Sequence, residues 1–139
     1  MRFMLIVKAN KASEAGVMPS MELIEAMQKF NEEMVRAGVW LMGEGLQASS
    51  KGARVKFAGG KTSVVDGPFA ETKELIAGFW LIQVKSRAEA IEWARRSPPP
   101  HEGDCEIEVR QVFESADFGP EVEAQENALR DEIAKRSLK

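Results

Sequence analysis

Three short stretches of the chain are apolar without a break: Phe3 to Val7, Val39 to Met42 and Phe79 to Ile82. Each is too short for a helix, and a strand with no polar side must be covered on both faces. Between the first two, Met21 to Ala37 carries Leu23, Met27, Phe30 and Met34 at the spacing of one helical face, with Ile24 and Val35 beside them and Glu25, Lys29, Glu32 and Arg36 pointing away. Ser20 suits the N-cap of this helix, Gly38 its C′ position, and residues 10–19 ahead of it read as a loop. Val55 and Phe57 alternate with charged residues up to Gly59-Gly60, and Thr62 and Val64 alternate on the return, which predicts a β-hairpin. Ser86-Arg87-Ala88-Glu89 fits a capping box at the head of a second helix that turns Ala90, Ile91 and Ala94 to the core and stops at Ser97-Pro98-Pro99-Pro100. Ile107 and Val109 alternate with charged residues in a last strand with one wet face. A charged helix follows Gly119-Pro120 to the C-terminus, acids leading and bases trailing, with a thin apolar stripe of Val122, Leu129 and Ile133. Glu126/Arg130, Asp131/Lys135 and Glu132/Arg136 are set for pairing along it.

Strand, helix, strand, hairpin, strand, helix, strand is an α+β plan: a ferredoxin-like split βαβ with an inserted hairpin and an extra C-terminal helix. Its two amphipathic helices share one face of the sheet, which leaves the opposite face of three apolar strands bare. Two such faces meeting across a two-fold axis would bury it, so the pattern predicts a homodimer. The domain boundary falls between residues 1–115 and a helical extension, 116–139.

A chain of 139 residues is one domain's worth and can bury a core of its own. The formal net charge of -3, with both signs interspersed, argues against direct binding to nucleic acid. Cys105 is the single cysteine, so no disulfide forms within the chain. At the head of an apolar strand it is expected to be a small buried hydrophobe, with no cationic setting to make it reactive. The opening apolar run ends at Lys8 with no cleavage site after it, and nothing approaches the length of a membrane span. The expectation is a soluble cytoplasmic protein with no membrane partner. One histidine and one cysteine give no metal-ligand spacing, so no metal site is expected; no cofactor is expected either. Gly59-Gly60-Lys61-Thr62 lacks the earlier glycine of a phosphate loop and is better explained as the hairpin tip.

The densest chemistry lies in Asp66-Gly67-Pro68-Phe69-Ala70-Glu71-Thr72-Lys73-Glu74, between the hairpin and the third apolar strand. Asp66-Gly67-Pro68 marks a turn, with the Asp66 side chain free to bond nearby N–H groups and Gly67 free to take an unusual backbone angle. Phe69 can anchor the turn in the core, and 70–75 can form one helical turn. This segment resembles the signature of the DGPF branch of the YCII-related family. Gly43-Glu44-Gly45-Leu46, Gly78-Phe79-Trp80-Leu81-Ile82 and Glu106-Ile107-Glu108-Val109-Arg110 are similar to other segments typical of that branch. The likeness covers roughly residues 1–115. It implies a dimeric α+β barrel, a shape shared with small cofactor-free isomerases, monooxygenases and decyclases, which is an analogy of fold only. Some relatives are encoded beside, or fused to, extracytoplasmic-function sigma factors, which implies a regulatory or accessory setting. The histidine–aspartate dyad proposed in another branch does not carry over. The first helix here begins Ser20-Met21-Glu22-Leu23 and the second ends Arg95-Arg96-Ser97, without those residues.

The catalytic candidates are Asp66, Glu71, Lys73 and His101; Glu44, Phe69, Glu74 and Trp80 are candidate ligand contacts. A carboxylate beside a lysine can act as a base with an electrophilic partner, or can simply lock a turn as a salt bridge. His101 has the one side chain that titrates near neutrality, but it follows three prolines in a surface loop. Glu44 between two glycines is either a bulge residue at a strand end or a site carboxylate. Two functions are compatible with these residues. One is a cofactor-free enzyme doing acid–base chemistry on a small molecule in a cleft beside the motif. The other is a non-catalytic ligand-binding or accessory module tied to transcriptional control.

Overall fold

The computed structural model describes residues 1–137. In chain order these are β1 (Arg2–Lys8), α1 (Lys11–Glu14), α2 (Met21–Arg36), β2 (Trp40–Gly45), β3 (Ala53–Ala58), β4 (Lys61–Asp66), β5 (Ile76–Gln83), α3 (Arg87–Arg96), β6 (Ile107–Gln111) and α4 (Pro120–Ser137). Short 3-10 turns lie at Ser49–Lys51, Thr72–Glu74 and Ser115–Phe118. The main sheet has the order β2-β5-β1-β6 with every neighbouring pair antiparallel. With the crossover helices α2 and α3 on one side, this is the ferredoxin-like α+β fold that the sequence pattern predicts.

The core lies between that side of the sheet and the two helices. Phe3, Leu5 and Val7 of β1 alternate inward beside Trp80 and Ile82 of β5, and Phe30 and Met34 of α2 with Ala90 and Trp93 of α3 close over them. Phe3, Leu5, Met34 and Ile82 are almost wholly out of water; burying a side chain of this size contributes about 1.5–3 kcal/mol. The Phe30 and Trp80 rings meet edge to face with centroids 5.4 Å apart, and the Trp80 indole N–H donates to Asn31 Oδ1 at 2.9 Å. Trp93, three residues after Ala90, is a core residue that the sequence reading passes over.

The caps account for where the helices begin. Ser20 Oγ accepts from the Leu23 N–H at 3.1 Å, and Ser86 Oγ accepts from the Glu89 N–H at the same distance. Glu89 departs slightly from the expected box, its carboxylate taking the Lys85 N–H at 2.9 Å instead of that of the cap residue. The stretch expected to be a plain loop holds α1. There Asn10 Oδ1 accepts from the Ser13 N–H at 2.8 Å and Ser13 Oγ accepts from the Asn10 N–H at 2.9 Å, a reciprocal cap that stabilises a single turn.

β3 and β4 form the expected hairpin as a separate two-stranded sheet, with Gly59 and Gly60 at φ +58° and +74° in its turn. Every residue of both strands is exposed. α4 packs mainly on the 3-10 turn before it. Of its expected pairs, Glu126 with Arg130 forms at 3.8 Å; residues 138–139 of the expected extension lie outside the described residues. Cys105 is exposed ahead of β6 rather than buried within it, because the strand begins at Ile107. No helix among the described residues is long and apolar enough to cross a membrane.

Candidate functional site

The far side of the main sheet carries Met4 and Ile6 from β1, Phe79 and Leu81 from β5 and Met42 from β2, with neither α2 nor α3 over it. A bulge decides what else reaches this side. Trp40 pairs with Ile82 on the helix-covered face, but Met42 pairs with Leu81 and Glu44 with Phe79, so Leu41 is the extra residue. Strict alternation from Trp40 would turn Glu44 beneath the helices; one extra residue puts its carboxylate on the open face. The bulge thus lies three residues before Glu44, and Gly43-Glu44-Gly45 continues the strand rather than interrupting it.

β1 and β2 end, and β5 and β6 begin, at the same end of the sheet. Lys8 closes β1 there, its ammonium 3.6 Å from the Glu108 carboxylate of β6. The hydrogen bond from Arg110, and then the charge of Lys8, hold the Glu108 carboxyl below the usual carboxylate range.

Above the β2–β5 side of this end sits the Asp66–Glu74 segment, held by a residue the sequence reading does not single out. Ser49 donates its backbone N–H to Glu14 at 3.0 Å, its hydroxyl is hydrogen-bonded to the same carboxylate, and its Oγ accepts the Phe69 N–H at 3.1 Å. The chain passes so close that a Cβ on Gly67 would stand 1.8 Å from the Ser49 carbonyl oxygen. The glycine is required by space and not by an unusual backbone angle, since its φ is not positive. The Gly67-Pro68 peptide is cis. Glu14 belongs to α1 and Ser49 follows β2, so a polar contact across 35 residues fastens the motif to the body. Nothing periodic in the sequence marks that pair. The Asn10-x-x-Ser13 cap is the one local signal that α1 exists to present Glu14.

The motif's own side chains are arranged differently from the expectation. Phe69 is half-buried and outside the core cluster, and the Arg54 guanidinium of the hairpin stacks on its ring at 3.8 Å from the centroid. It anchors the motif to the hairpin base, because the segment lies beyond the sheet end and not under the helices. Asp66 is exposed at the end of β4, opposite Ala53, and makes no side-chain hydrogen bond among the described residues. Glu71, Lys73 and Glu74 are exposed around the turn Thr72–Glu74, and no ion pair joins Lys73 to either glutamate among the described residues. The salt bridge that would lock the turn is therefore not formed; Ser49 does that work instead.

His101 reaches the same sheet end from the β6 side. Its Nε2 lies 2.7 Å from the Lys8 carbonyl oxygen, which can only accept, so Nε2 carries the proton and Nδ1 is left as the basic nitrogen of the neutral ring. The ring is half-buried and fixed in orientation, unlike a freely solvated loop residue, and the Cys105 thiol donates to the His101 carbonyl at 3.7 Å. Trp80 stands apart from the rest: it lies beneath the helices at 7% exposure, on the opposite face of the sheet from Phe79. The structure thus gathers Glu44, His101, Lys8 and the Asp66–Glu74 segment at one sheet end and leaves Trp80 in the core. No three histidine, cysteine, aspartate or glutamate side chains cluster for a metal among the described residues. The arrangement can offer carboxylates, an ammonium and an oriented imidazole to a molecule lying against the open face.

Comparison with known proteins gives two findings. The family model of the YCII-related domain matches residues 1–116. An uncharacterized protein of Rhizobium meliloti (strain 1021) is 35% identical over 75 residues, a match spanning 52% of this chain and 60% of that protein. In that match the chain accounts for less than two thirds of the relative's length.

Proposed function

Because the chain belongs to the YCII-related domain family, we propose that it is a homodimer that joins its open sheet faces and binds a small molecule at the polar end of the sheet, where His101 is the base of a cofactor-free acid–base reaction. The observation that carries this reading is the fixed imidazole. Its Nε2–H is committed to the Lys8 carbonyl, which leaves Nδ1 with a lone pair and a set direction. Glu44, Asp66, Glu71 and Lys73 are the groups that would share the proton transfer or bind the polar part of the substrate, with Phe69 and Glu74 at the rim. Dimerisation answers a need visible in the protomer. Met4, Ile6, Met42, Phe79 and Leu81 make one contiguous apolar surface, and monomers seldom leave such a surface to water. Placement in the DGPF branch and a cytoplasmic setting belong to the same proposal; the branch rests on the Asp66–Glu74 signature.

A second reading, a non-catalytic ligand-binding or accessory module of the kind associated with sigma factors, is favoured by one observation. Among the described residues no hydrogen bond or ion pair joins any two of the candidate titratable side chains, and Asp66, Glu71, Lys73 and Glu74 are exposed. A catalytic pair is ordinarily held within hydrogen-bond reach.

One experiment separates the two. Small ring and carbonyl compounds are screened for binding in deuterated water, and each binder is followed by NMR for loss of the proton on the carbon beside its carbonyl. The enzyme reading expects protein-dependent exchange for a bound compound and its loss in His101→Gln. Binding without exchange supports the accessory module, and exchange that survives His101→Gln removes His101 as the base.

A further inference from the structure

Two surfaces of the protomer are apolar, exposed and remote from the sheet face that the dimer reading covers. The first is one side of the hairpin. The β3–β4 register puts Val55 opposite Val64 and Phe57 opposite Thr62, so these four share a face, and Phe57 is 81% exposed. Arg54, Lys56 and Lys61 lie on the other face. The second is the junction of β6 and α4. There Phe113, Phe118 and Leu129, at 70%, 52% and 59% exposure, line a groove of about 390 Å³ with Glu126 and Arg130 at its edge. The Phe113 and Phe118 rings lie 5.0 Å apart.

The charges of the two are opposite. From Lys51 to Asp66 the hairpin carries Lys51, Arg54, Lys56 and Lys61 against one acid, Asp66 at the base of the apolar face, and none of the four bases makes an ion pair among the described residues. From Glu114 to Glu126 the chain carries Glu114, Asp117, Glu121, Glu123 and Glu126 with no base. Arg2 answers Glu114 and Arg130 answers Glu126, which leaves Asp117, Glu121 and Glu123 as surplus negative charge on the segment that contributes the groove. Fields of opposite sign steer and orient an encounter over about a Debye length, about 8–10 Å at ordinary salt, a reach that the thickness of a single hairpin does not exceed.

Their positions also correspond. The hairpin leaves the sheet where β2 ends and β5 begins; α4 follows the end of β6, beside the start of β1. These are diagonally opposite corners. A two-fold axis lying between two facing sheets at half a right angle to the strands carries one corner onto the other, and makes the strands of the two sheets cross steeply, an established mode of sheet packing. The geometry points to an exchanged-arm contact: the Val55–Phe57–Val64 face of each hairpin docks into the Phe113–Phe118–Leu129 groove of the second copy. This rests on the proposed dimer and adds to it a specific contact, made twice, outside the sheet faces. The occupant of the groove is the Phe57 ring, and the acidic surplus beside it receives the basic hairpin. The hairpin base is also where Arg54 stacks on Phe69, so seating the arm on the partner would also hold the motif in place.

The test uses the full chain in a Cys105→Ser background. Differently tagged chains carrying Phe57→Cys and Leu129→Cys are co-expressed, oxidised mildly and separated without reductant, beside a control with Phe57→Cys in both chains. The expected result is a cross-linked heterodimer from the mixed pair and none from the control. Glu121→Lys with Glu123→Lys should lower the yield, and so should raising the salt with the two acids in place. A sample that sediments as a dimer yet forms no Phe57–Leu129 cross-link overturns the arm contact and leaves the sheet-face dimer standing. Equal cross-linking in the control also overturns it, because the bond would then report chance collision. A chain that sediments as a monomer overturns both.

Discussion

Replacing Gly67 with alanine tests how the motif is held. The added Cβ would lie 1.8 Å from the Ser49 carbonyl oxygen and 2.6 Å from its carbon, both backbone atoms with no side-chain freedom to yield. Relief requires a backbone shift of more than an ångström at one side of the contact. On the Ser49 side that shift strains the Gly52 N–H bond to the Ser49 carbonyl at 2.9 Å and the Ser49 N–H bond to Glu14 at 3.0 Å. On the motif side it strains the Gly67 N–H bond to the Gly52 carbonyl at 3.0 Å and the Phe69 N–H bond to Ser49 Oγ at 3.1 Å. Overpacking costs about 1–3 kcal/mol, and each lost hydrogen bond adds about 1 kcal/mol. Alanine's smaller unfolded-state entropy returns about 0.4–1 kcal/mol, so the net local cost is about 2–4 kcal/mol. The hairpin and motif lie outside the core cluster, so most of that cost should be paid as local opening. Hydrogen exchange should show the Gly52 and Phe69 amides losing protection by about one and a half to three orders of magnitude, at about 1.4 kcal/mol per factor of ten, while amides of β1 and β5 change little. Gly45→Ala is the control, since its Cβ would meet nothing within 4 Å. Unchanged protection at Phe69 in Gly67→Ala would refute the close-contact account.

Three other outcomes follow from the same geometry. Phe30→Ala removes a ring that is 3% exposed and wedged against Trp80 and Trp93, and urea unfolding should show a loss of about 3–5 kcal/mol; a loss below about 1 kcal/mol would mean the core repacks around the gap. The hydrogen bond from Arg2 holds the Glu114 carboxyl below its usual range, so its stabilisation is present above the unfolded value and fades as pH falls through the folded one. Stability curves of wild type and Glu114→Gln should therefore separate at neutral pH and converge in acid, whereas a constant gap would show that the ion pair contributes nothing. Ending the chain at Phe118 should leave a cooperatively folded body, because α4 packs mainly on the turn before it; loss of the near-UV signal of the tryptophans would show α4 to be part of the core.

Much of the fold is legible in the sequence because its signals are local. Ser20 and Ser86 cap helices, Gly59-Gly60 turns a hairpin, and period-two alternation marks β6. The bulge at Leu41 is not legible. Val39 to Met42 is apolar throughout, so no polar residue fixes which side each position faces, and the side taken by Glu44 depends on that one insertion. The hold of Ser49 on Glu14 and Phe69 is hidden for another reason. Long-range contacts between polar side chains follow no period, and neither residue is unusual in its own surroundings. Phe69 misleads because an aromatic beside a turn is ordinarily a core anchor, while here Arg54 offers a flat cation to stack on at the surface. His101 is legible as a candidate, but its orientation depends on the end of β1 lying within reach of the loop after α3, which only the folded sheet provides.

The proposed dimer joins the open sheet faces of two copies, and the exchanged arm depends on it. Sedimentation equilibrium of the wild type beside Leu81→Asp decides whether it forms, since Leu81 lies between Met4 and Met42 at the middle of that face. The wild type should show twice the chain mass at micromolar concentration, and a folded Leu81→Asp the single-chain mass. A wild type that stays monomeric, or a Leu81→Asp variant that dimerises as tightly, would contradict it.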